Sequence, residues 1–543
     1  MIKLYKLWLS LCLIITAQQT FAQQIKLSNQ VKHALTLVDT AQIKADIAYL
    51  ADDKLKGRMP GTEGSQMAVD YVVSRLKLLG VKPAGKNRTW LQQVKLRKAF
   101  TTSTALTLDG NNGPTLTAGT DFLVYPNPQL PQVSLNAPLV FAGFGISEPS
   151  LGYDDYAGLD VKGKIVLITR GSPDKFSSSV SAHTMNSAHI IKVAAEHGAV
   201  GIIMASADST SRLPNISGGI YNVLDDEGTV AVSRIYYSNQ VGVYGGISYK
   251  LFNSLLQQAG KSIPAMIAQL KSGQPASFNL NHTVSISCSS AYKDIVSYNV
   301  AGKITGSDAK LKNTYVVHSA HLDHLGIGTP VKGDSIYNGA HDNASGVASV
   351  LAIANIYKNI RHKPKRSILL VLLTGEEMGD LGSGYFAKHP TVPVKSIVAD
   401  VNTDMPTIIA PLLSITALGA EHSSLANQVD QAARYLGLSV EPDPEPKQAR
   451  FTRSDQYSFV LQGIPALHIK YGSKTPDGKN NLNDKVAIWR ANYYHKPQDD
   501  INGIFNFGAG KKYAQLNFLI GYLVAEDKAK PVWNAGDVFA LKQ

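Results

Sequence analysis

A chain of 543 residues, 44 % hydrophobic and 17 % charged, is long enough for about two to four domains with real cores, which excludes a small binding module and a disordered chain. Its 53 Lys and Arg against 41 Asp and Glu give +12. The densest basic run, Arg361-His362-Lys363-Pro364-Lys365-Arg366, has no interleaved aromatic residues and precedes an apolar segment, so it reads as a solvated connection and no nucleic-acid partner is expected. Only Cys12 and Cys288 are present, too few for a disulfide scaffold or a Cys-rich zinc module, so a metal site would be built from His and carboxylates.

The chain opens with Lys3 and Lys6, an apolar stretch from Leu7 to Ala17, and Thr20-Phe21-Ala22 before Gln23. A charged start, a short apolar core and small residues at the cut describe a secretory signal peptide, residues 1–22. The apolar stretch is shorter than the roughly 20 residues that cross a bilayer, so no stable membrane anchor is expected. A lipoprotein reading through Cys12 fails because Leu11 stands where a small residue is required. Cleavage after Ala22 removes Lys3, Lys6 and Cys12, leaving +10, one cysteine and no intrachain disulfide. The expected location is outside the cytoplasm, periplasmic or secreted.

Ile43 to Leu50 has a helical pattern, followed by a Gly-Arg-Met-Pro-Gly turn at residues 57–61 and a second helix with Val69, Val72, Leu76 and Leu79 on one stripe, ending at Gly80 before Pro83. From about Pro131 to Ile286 short strands alternate with turn residues: Ala137 to Gly145, Gly163 to Ile168, then a helix through Ile191 to His197 and a strand at Gly201 to Met204. His183, His189 and His197 lie in this stretch without carboxylates at ligand spacing, so they read as surface or loop histidines. From Asn299 onward strand and helix alternate. The runs at Tyr315 to Val317, Ile368 to Leu373, Ile397 to Val401 and Ala466 to Ile469 are apolar throughout, as in a mainly parallel sheet with both faces covered.

Polar groups follow those strands, where such sheets gather their functional residues. Ser319-Ala320-His321-Leu322-Asp323 follows the first; Asn338-Gly339-Ala340-His341-Asp342-Asn343 precedes the next helix. Thr374-Gly375-Glu376-Glu377 follows the second strand, Asn402-Thr403-Asp404 the third, and Tyr494-His495 stands near the end. Glu376 and Glu377 close an apolar run, where an unpaired carboxylate is costly and a cation removes the cost. Successive residues leaving a strand point to opposite sides, so one glutamate can bind metal while its neighbour faces substrate.

These motifs resemble the di-zinc exopeptidase family that includes aminopeptidase Y, bacterial leucyl aminopeptidases and the non-catalytic transferrin receptor. The pattern His-x-Asp, Gly-Ala-x-Asp-Asn-Ala-Ser-Gly, Glu-Glu-x-Gly-x-x-Gly-Ser, Asp-Met and a late Tyr-His is met in order from Ala320 to His495. Leu50 to Arg58 and Pro60-Gly61-Thr62 resemble the family's N-terminal segment, and the middle block resembles a protease-associated domain. The resemblance implies an α/β fold: a mainly parallel-sheet zinc-dependent exopeptidase (phosphorylase/hydrolase-like) catalytic domain with an inserted β-rich protease-associated domain. The expected divisions are 23–131 and 289–530 for the peptidase domain, 132–288 for the insertion and 531–543 for a C-terminal tail.

Carried onto this chain, the resemblance implies two zinc ions, one on His321 and Asp404, the other on Glu377 and His495, with Asp342 bridging. Glu376 would be the general base, Asp323 would hydrogen-bond the other ring nitrogen of His321, and Tyr494 is the candidate oxyanion donor. The insertion, its histidines lacking carboxylate partners at suitable spacing, would shape access and supply no metal ligands. Three departures stand out: His341 beside Asp342, expected to be structural; Asp380 in the Glu-Glu motif, expected to change only a loop; and Gln456 in place of a common His, expected to alter a substrate contact.

The expected function is an exported aminopeptidase whose di-zinc-bound hydroxide attacks the first peptide bond, acting on peptide substrates. The alternative is a carboxypeptidase or dipeptidase on the same site, for which Arg450 and Arg453 would clamp a terminal carboxylate. A non-catalytic receptor-like protein and a one-zinc glutaminyl cyclase are disfavoured by the complete ligand set.

Overall fold

The computed structural model describes residues 25–110 and 113–540. The signal-peptide reading, with its cut after Ala22 and with Cys12, lies outside the described residues, whereas Cys288 is buried and free. In chain order the principal strands are β1 (Leu91–Leu108), β2 (Phe122–Val124), β3 (Gln132–Ala142), β4 (Ile165–Thr169), β5 (Gly201–Ala205), β6 (Val243–Ile247) and β7 (Ser277–Ile304). They continue with β8 (Tyr315–His321), β9 (Ser367–Leu373), β10 (Ile397–Asn402), β11 (Ser414–Leu418), β12 (Ser439–Glu441) and β13 (Ala466–Tyr471).

Their spatial order is β12-β11-β13-β10-β8-β9-β7-β3-β4-β5-β6-β2. Strands β13, β10, β8 and β9 run parallel, and so do β3, β4, β5 and β6. Between the two blocks lies β7, antiparallel to β9 on one side and to β3 on the other. Its outer partner is β1, paired from Leu91↔Val300 to Leu108↔Val284. β7 passes through residue 288 without a break, so a continuous ribbon joins the C-terminal sheet to the inserted one.

Every residue of β9, Ser-Ile-Leu-Leu-Val-Leu-Leu, is buried, because helices cover both faces of the sheet. Ile368, Leu370 and Leu372 pack with helices Thr40–Leu50, Ser345–Lys358 and Phe507–Glu526, while Leu369, Val371 and Leu373 face helices Leu381–Lys388 and Gln456–Val460. The second helix expected from the sequence is Glu63–Leu78, preceded by helices Asn29–Thr36 and Thr40–Leu50; Thr62 caps it by accepting from Ser65 N (3.3 Å), Val69, Val72 and Leu76 are buried, and Gly80 has φ +74°. The described part of the C-terminal tail packs down: Phe539 is buried and Trp533 Nε1 donates to Gly463 O (2.9 Å). Among the described residues no helix is long and apolar enough to cross a membrane.

Candidate active site

The carboxyl ends of three parallel neighbours meet. His321 is the last residue of β8, Glu376 and Glu377 follow β9 by a turn through Gly375 (φ +72°), and Asp404 follows β10. Asp342 arrives from the loop before helix Ser345–Lys358, and His495 from the end of helix Leu482–Tyr493. His321 Nε2 lies 3.3 Å from Asp342 Oδ1, 3.4 Å from Asp404 Oδ1 and 4.0 Å from Glu376 Oε2. His495 Nε2 lies 3.2 Å from Asp342 Oδ2 and 3.3 Å from Glu377 Oε2. The two oxygens of Asp342 therefore face two separate histidine–carboxylate pairs.

Supporting groups hold this arrangement. Asn343 donates to Thr403 O (2.9 Å) and accepts from Gly346 N (3.0 Å) and Met405 N (3.2 Å), tying the Asp342 loop to the end of β10. A side chain on Gly346 would put its Cβ 2.1 Å from Asn343 Oδ1 and 2.3 Å from Thr403 O, so only glycine fits there. Arg58, fully buried, donates to the carbonyls of Leu322 (2.9 Å), Asn338 (2.6 Å), Gly339 (3.1 Å) and Leu50, joining the N-terminal segment to two ligand-bearing loops.

The electrostatics favour a cation. Burial opposes ionisation of every carboxyl here: it raises Asp323 to about 6, Asp499 to about 7 and Asp455 to about 8. Burial, then Asp380, Asp404 and Glu377, push Glu376 well above the usual carboxylate range. Burial would lower the imidazoles, yet the carboxylates around them overcome it: His321 is held well above its ordinary value, chiefly by Glu376 and Asp342, and His495 is raised to about 10 by Asp342 and Glu377. A surplus of buried carboxylates that drives its histidines to take protons is a donor set suited to divalent cations.

Several groups fall outside the sequence expectations. His324, directly after Asp323, converges with Asp342 and Glu377, with one donor atom from each within 4.8 Å of the others. Its Nδ1 lies 2.7 Å from Glu377 Oε1. Neither atom has a hydrogen bond of proper alignment, as two donors aimed at one cation would lack. A second histidine in the same motif was the available signal. Asp499 is also new: its carboxylate accepts from His341 N (2.9 Å) and Asp342 N (3.1 Å). Asp323 differs from expectation: His321 Nδ1 meets its main-chain oxygen (3.2 Å), whereas its carboxylate, 3.9 Å away, accepts from Glu376 N (3.2 Å) and Glu377 N (3.4 Å). The carboxylate thus shapes the Glu-Glu turn.

The departures sort by their contacts. His341 stacks on Phe505 (4.1 Å between centroids) and its Nε2 donates to Ile504 O (3.0 Å), a structural placement. Asp380 precedes helix Leu381–Lys388, and burial raises its carboxyl to about 6 against the lowering charge of Arg234 from the inserted domain. Gln456 is buried, with its amide bonded to Asn402 Nδ2 (2.8 Å) and Phe451 O (2.7 Å). Tyr494 stacks on His495 at 3.8 Å and carries the Arg490 guanidinium 3.8 Å above its ring. With Asp404, Arg450, Arg453, Lys470 and Arg490 it lines a cavity of about 310 Å³. Two histidines of the insertion are not loop residues, for His183 is buried on helix Ser178–Thr184 and His189 lies on helix Ser187–Glu196; His197 is exposed in the turn that follows, stacked on Tyr156 at 4.2 Å.

Residues 299–516 match Peptidase family M28, and residues 135–255 match the PA domain. The chain carries an M28 peptidase domain with an inserted PA domain. It is a metallo-exopeptidase, a hydrolase of peptide bonds. Over 494 residues, 88 % of this chain and 81 % of the other, it is 24 % identical to a probable leucine aminopeptidase 2 of Aspergillus fumigatus. Over 120 residues, 21 % of this chain and 23 % of the other, it is 34 % identical to carboxypeptidase Q of Rattus norvegicus. Among solved structures it is similar to the aminopeptidase from Aneurinibacillus sp. strain AM-1, with 19 % identity, a TM-score of 0.45 and coverage of 93 % of this chain and 100 % of that one.

Proposed function

We propose that the peptidase is an exported di-zinc aminopeptidase. The observation that carries this reading is Asp342, whose two oxygens face His321 and Asp404 on one side and His495 and Glu377 on the other. These residues fit a pair of divalent cations, each with three protein ligands and room for water, and His324 stands ready as a further donor on the Glu377 side. Bound there, the pair would supply a water whose pKa falls to about 7, from 15.7 in bulk, and would polarise the scissile carbonyl.

The chain's own residues do the rest. Glu376, on the turn held by the Asp323 carboxylate, takes the proton of the attacking water and returns it to the leaving amine. Tyr494, fixed between His495 and Arg490, is the candidate donor to the oxyanion. The charged start and Thr20-Phe21-Ala22 support export, with Gln23 as the first residue of the mature chain. The leucine aminopeptidase relative, similar over most of both chains, supports the same reading.

A second reading, carboxypeptidase or dipeptidase, is favoured by the cationic wall beside Asp404 and by the shorter similarity to carboxypeptidase Q. Arg450 is already paired with Asp443, and Lys470 donates to Asp404 O (3.0 Å) and Met405 O (2.7 Å), which leaves Arg453 and Arg490 for a carboxylate. Steady-state assays on amino-acid 4-nitroanilides, their N-acetyl forms and N-blocked dipeptides separate the two. The proposal expects cleavage of free-amine anilides only. Release of the C-terminal residue from N-blocked dipeptides, with the anilides untouched, would establish the second reading.

A further inference from the structure

The inserted domain brings Glu148 against two histidines from a later part of the chain, His183 and His189. Glu148 ends the short strand Ser147–Glu148, and His183 and His189 lie on successive helices. One donor atom from each lies within 4.8 Å of the other two. The imidazole centroids are 4.3 Å apart, and His189 Nε2 is 3.5 Å from Glu148 Oε1. That nitrogen is buried and makes no hydrogen bond, an arrangement that costs free energy unless something fills the gap. On the other side, His183 Nδ1 meets Tyr457 Oη at 2.6 Å, so Nε2 is the atom left free. Burial pushes His183 down to about 3, which keeps the ring neutral with a lone pair available.

We infer that Glu148, His183 and His189 form a third divalent-metal site, separate from the candidate active site and supplied entirely by the inserted domain. Two imidazoles and one carboxylate, with an open fourth position, are a zinc-type donor set. The hydroxyl of Tyr457 orients His183 from behind, as a partner on the far ring nitrogen does for metal-bound histidines. Glu148 and His189 retain 17 % and 16 % side-chain exposure, enough for an ion to enter. Tyr457 belongs to helix Gln456–Val460, where Gln456 bonds Asn402 at the end of β10, and Phe539 of the C-terminal tail packs on His183. A cation here would fasten the inserted domain to the segment behind Asp404.

The test compares the full chain with the double variant Glu148→Gln/His189→Gln, each saturated with zinc, freed of excess by gel filtration and analysed by elemental mass spectrometry. The wild type should retain one more equivalent of zinc than the variant, and zinc should raise its unfolding midpoint by more. Turnover of a 4-nitroanilide should be the same in both, since neither residue touches the edge cluster. Should the double variant fail to fold by circular dichroism, Glu148→Gln alone gives the same readout. Equal zinc counts in folded proteins overturn the inference. Repeating the comparison in a Glu377→Gln background keeps it apart from the di-zinc reading: the extra equivalent persists there even if the edge cluster holds no zinc.

Discussion

The block β13-β10-β8-β9 and the block β3-β4-β5-β6 share one plan, parallel neighbours flanked by helices and joined through β7. Their carboxyl edges differ. The first ends in His321, Glu376, Glu377 and Asp404, which face one another across a few ångströms. The second runs into Arg170, Ser206 and Ser248, which line a separate cavity of about 310 Å³. The sheet offers positions, and the residues placed there decide whether those positions carry chemistry. The edge cluster concentrates buried like charge, which burdens folding unless a cation is present; the inserted block, built on an apolar core around Phe141 and Phe252, stabilises the fold.

The largest expected effect separates the two adjacent glutamates. Glu376→Gln keeps the shape of the site and its ligands, so metal content should be retained and KM little changed while kcat falls by about 100- to 10,000-fold or more, the range of general-base catalysis. Glu377→Gln removes an anionic donor facing His495 and His324, so one zinc should be lost first and activity should partly return in excess zinc. Elemental analysis beside steady-state kinetics reads both. The reverse pattern would exchange the two roles.

The inserted block should behave in the opposite way. Phe252, fully buried against Phe141 with ring centroids 5.9 Å apart, should cost about 3–5 kcal/mol when replaced by Ala. Urea unfolding should show that loss with metal content and kcat unchanged in the folded fraction. A drop in bound zinc would break the separation between stability in one block and chemistry in the other.

A smaller effect lies in the pH dependence. Burial raises Asp155 to about 7 from 3.8, although its carboxylate accepts from Phe144 N (2.9 Å), Ile146 N (3.1 Å) and Tyr153 Oη (2.8 Å). The folded chain thus holds this proton more tightly than the unfolded chain. The resulting stability is fully present below about pH 4 and is lost as pH rises through about 7. In Asp155→Asn that slope is absent, so the unfolding midpoint of the variant relative to wild type should climb across this window. A constant difference would show that Asp155 titrates normally.

The catalytic strands were legible because strands buried on both faces are written as unbroken apolar runs, and the polar residues ending those runs mark the edge. His321, Asp342, Glu376, Glu377, Asp404 and His495 lie together, the grouping that their places at strand ends and the family resemblance implied. The β1–β7 ribbon was not legible, since its residues between the domains alternate between exposed and buried without a strong apolar stripe. Asp323 shows a finer limit: sequence places the residue but not which of its oxygens reaches His321. Glu148, His183 and His189 show the same limit across distance, because only the packing of separate elements brings them together. Arg58 lay in a recognised segment, yet its contacts with carbonyls of two distant loops exist only in the folded chain.

The proposed chemistry depends on Asp342 bridging two cations at the edge of the catalytic sheet. Crystals of the zinc-loaded protein, measured on both sides of the zinc absorption edge, test it most directly. Two anomalous peaks roughly 3.5–4 Å apart are expected, one among His321, Asp404 and Asp342 and the other among His495, Glu377 and Asp342. A single peak, or none, within this cluster would contradict it.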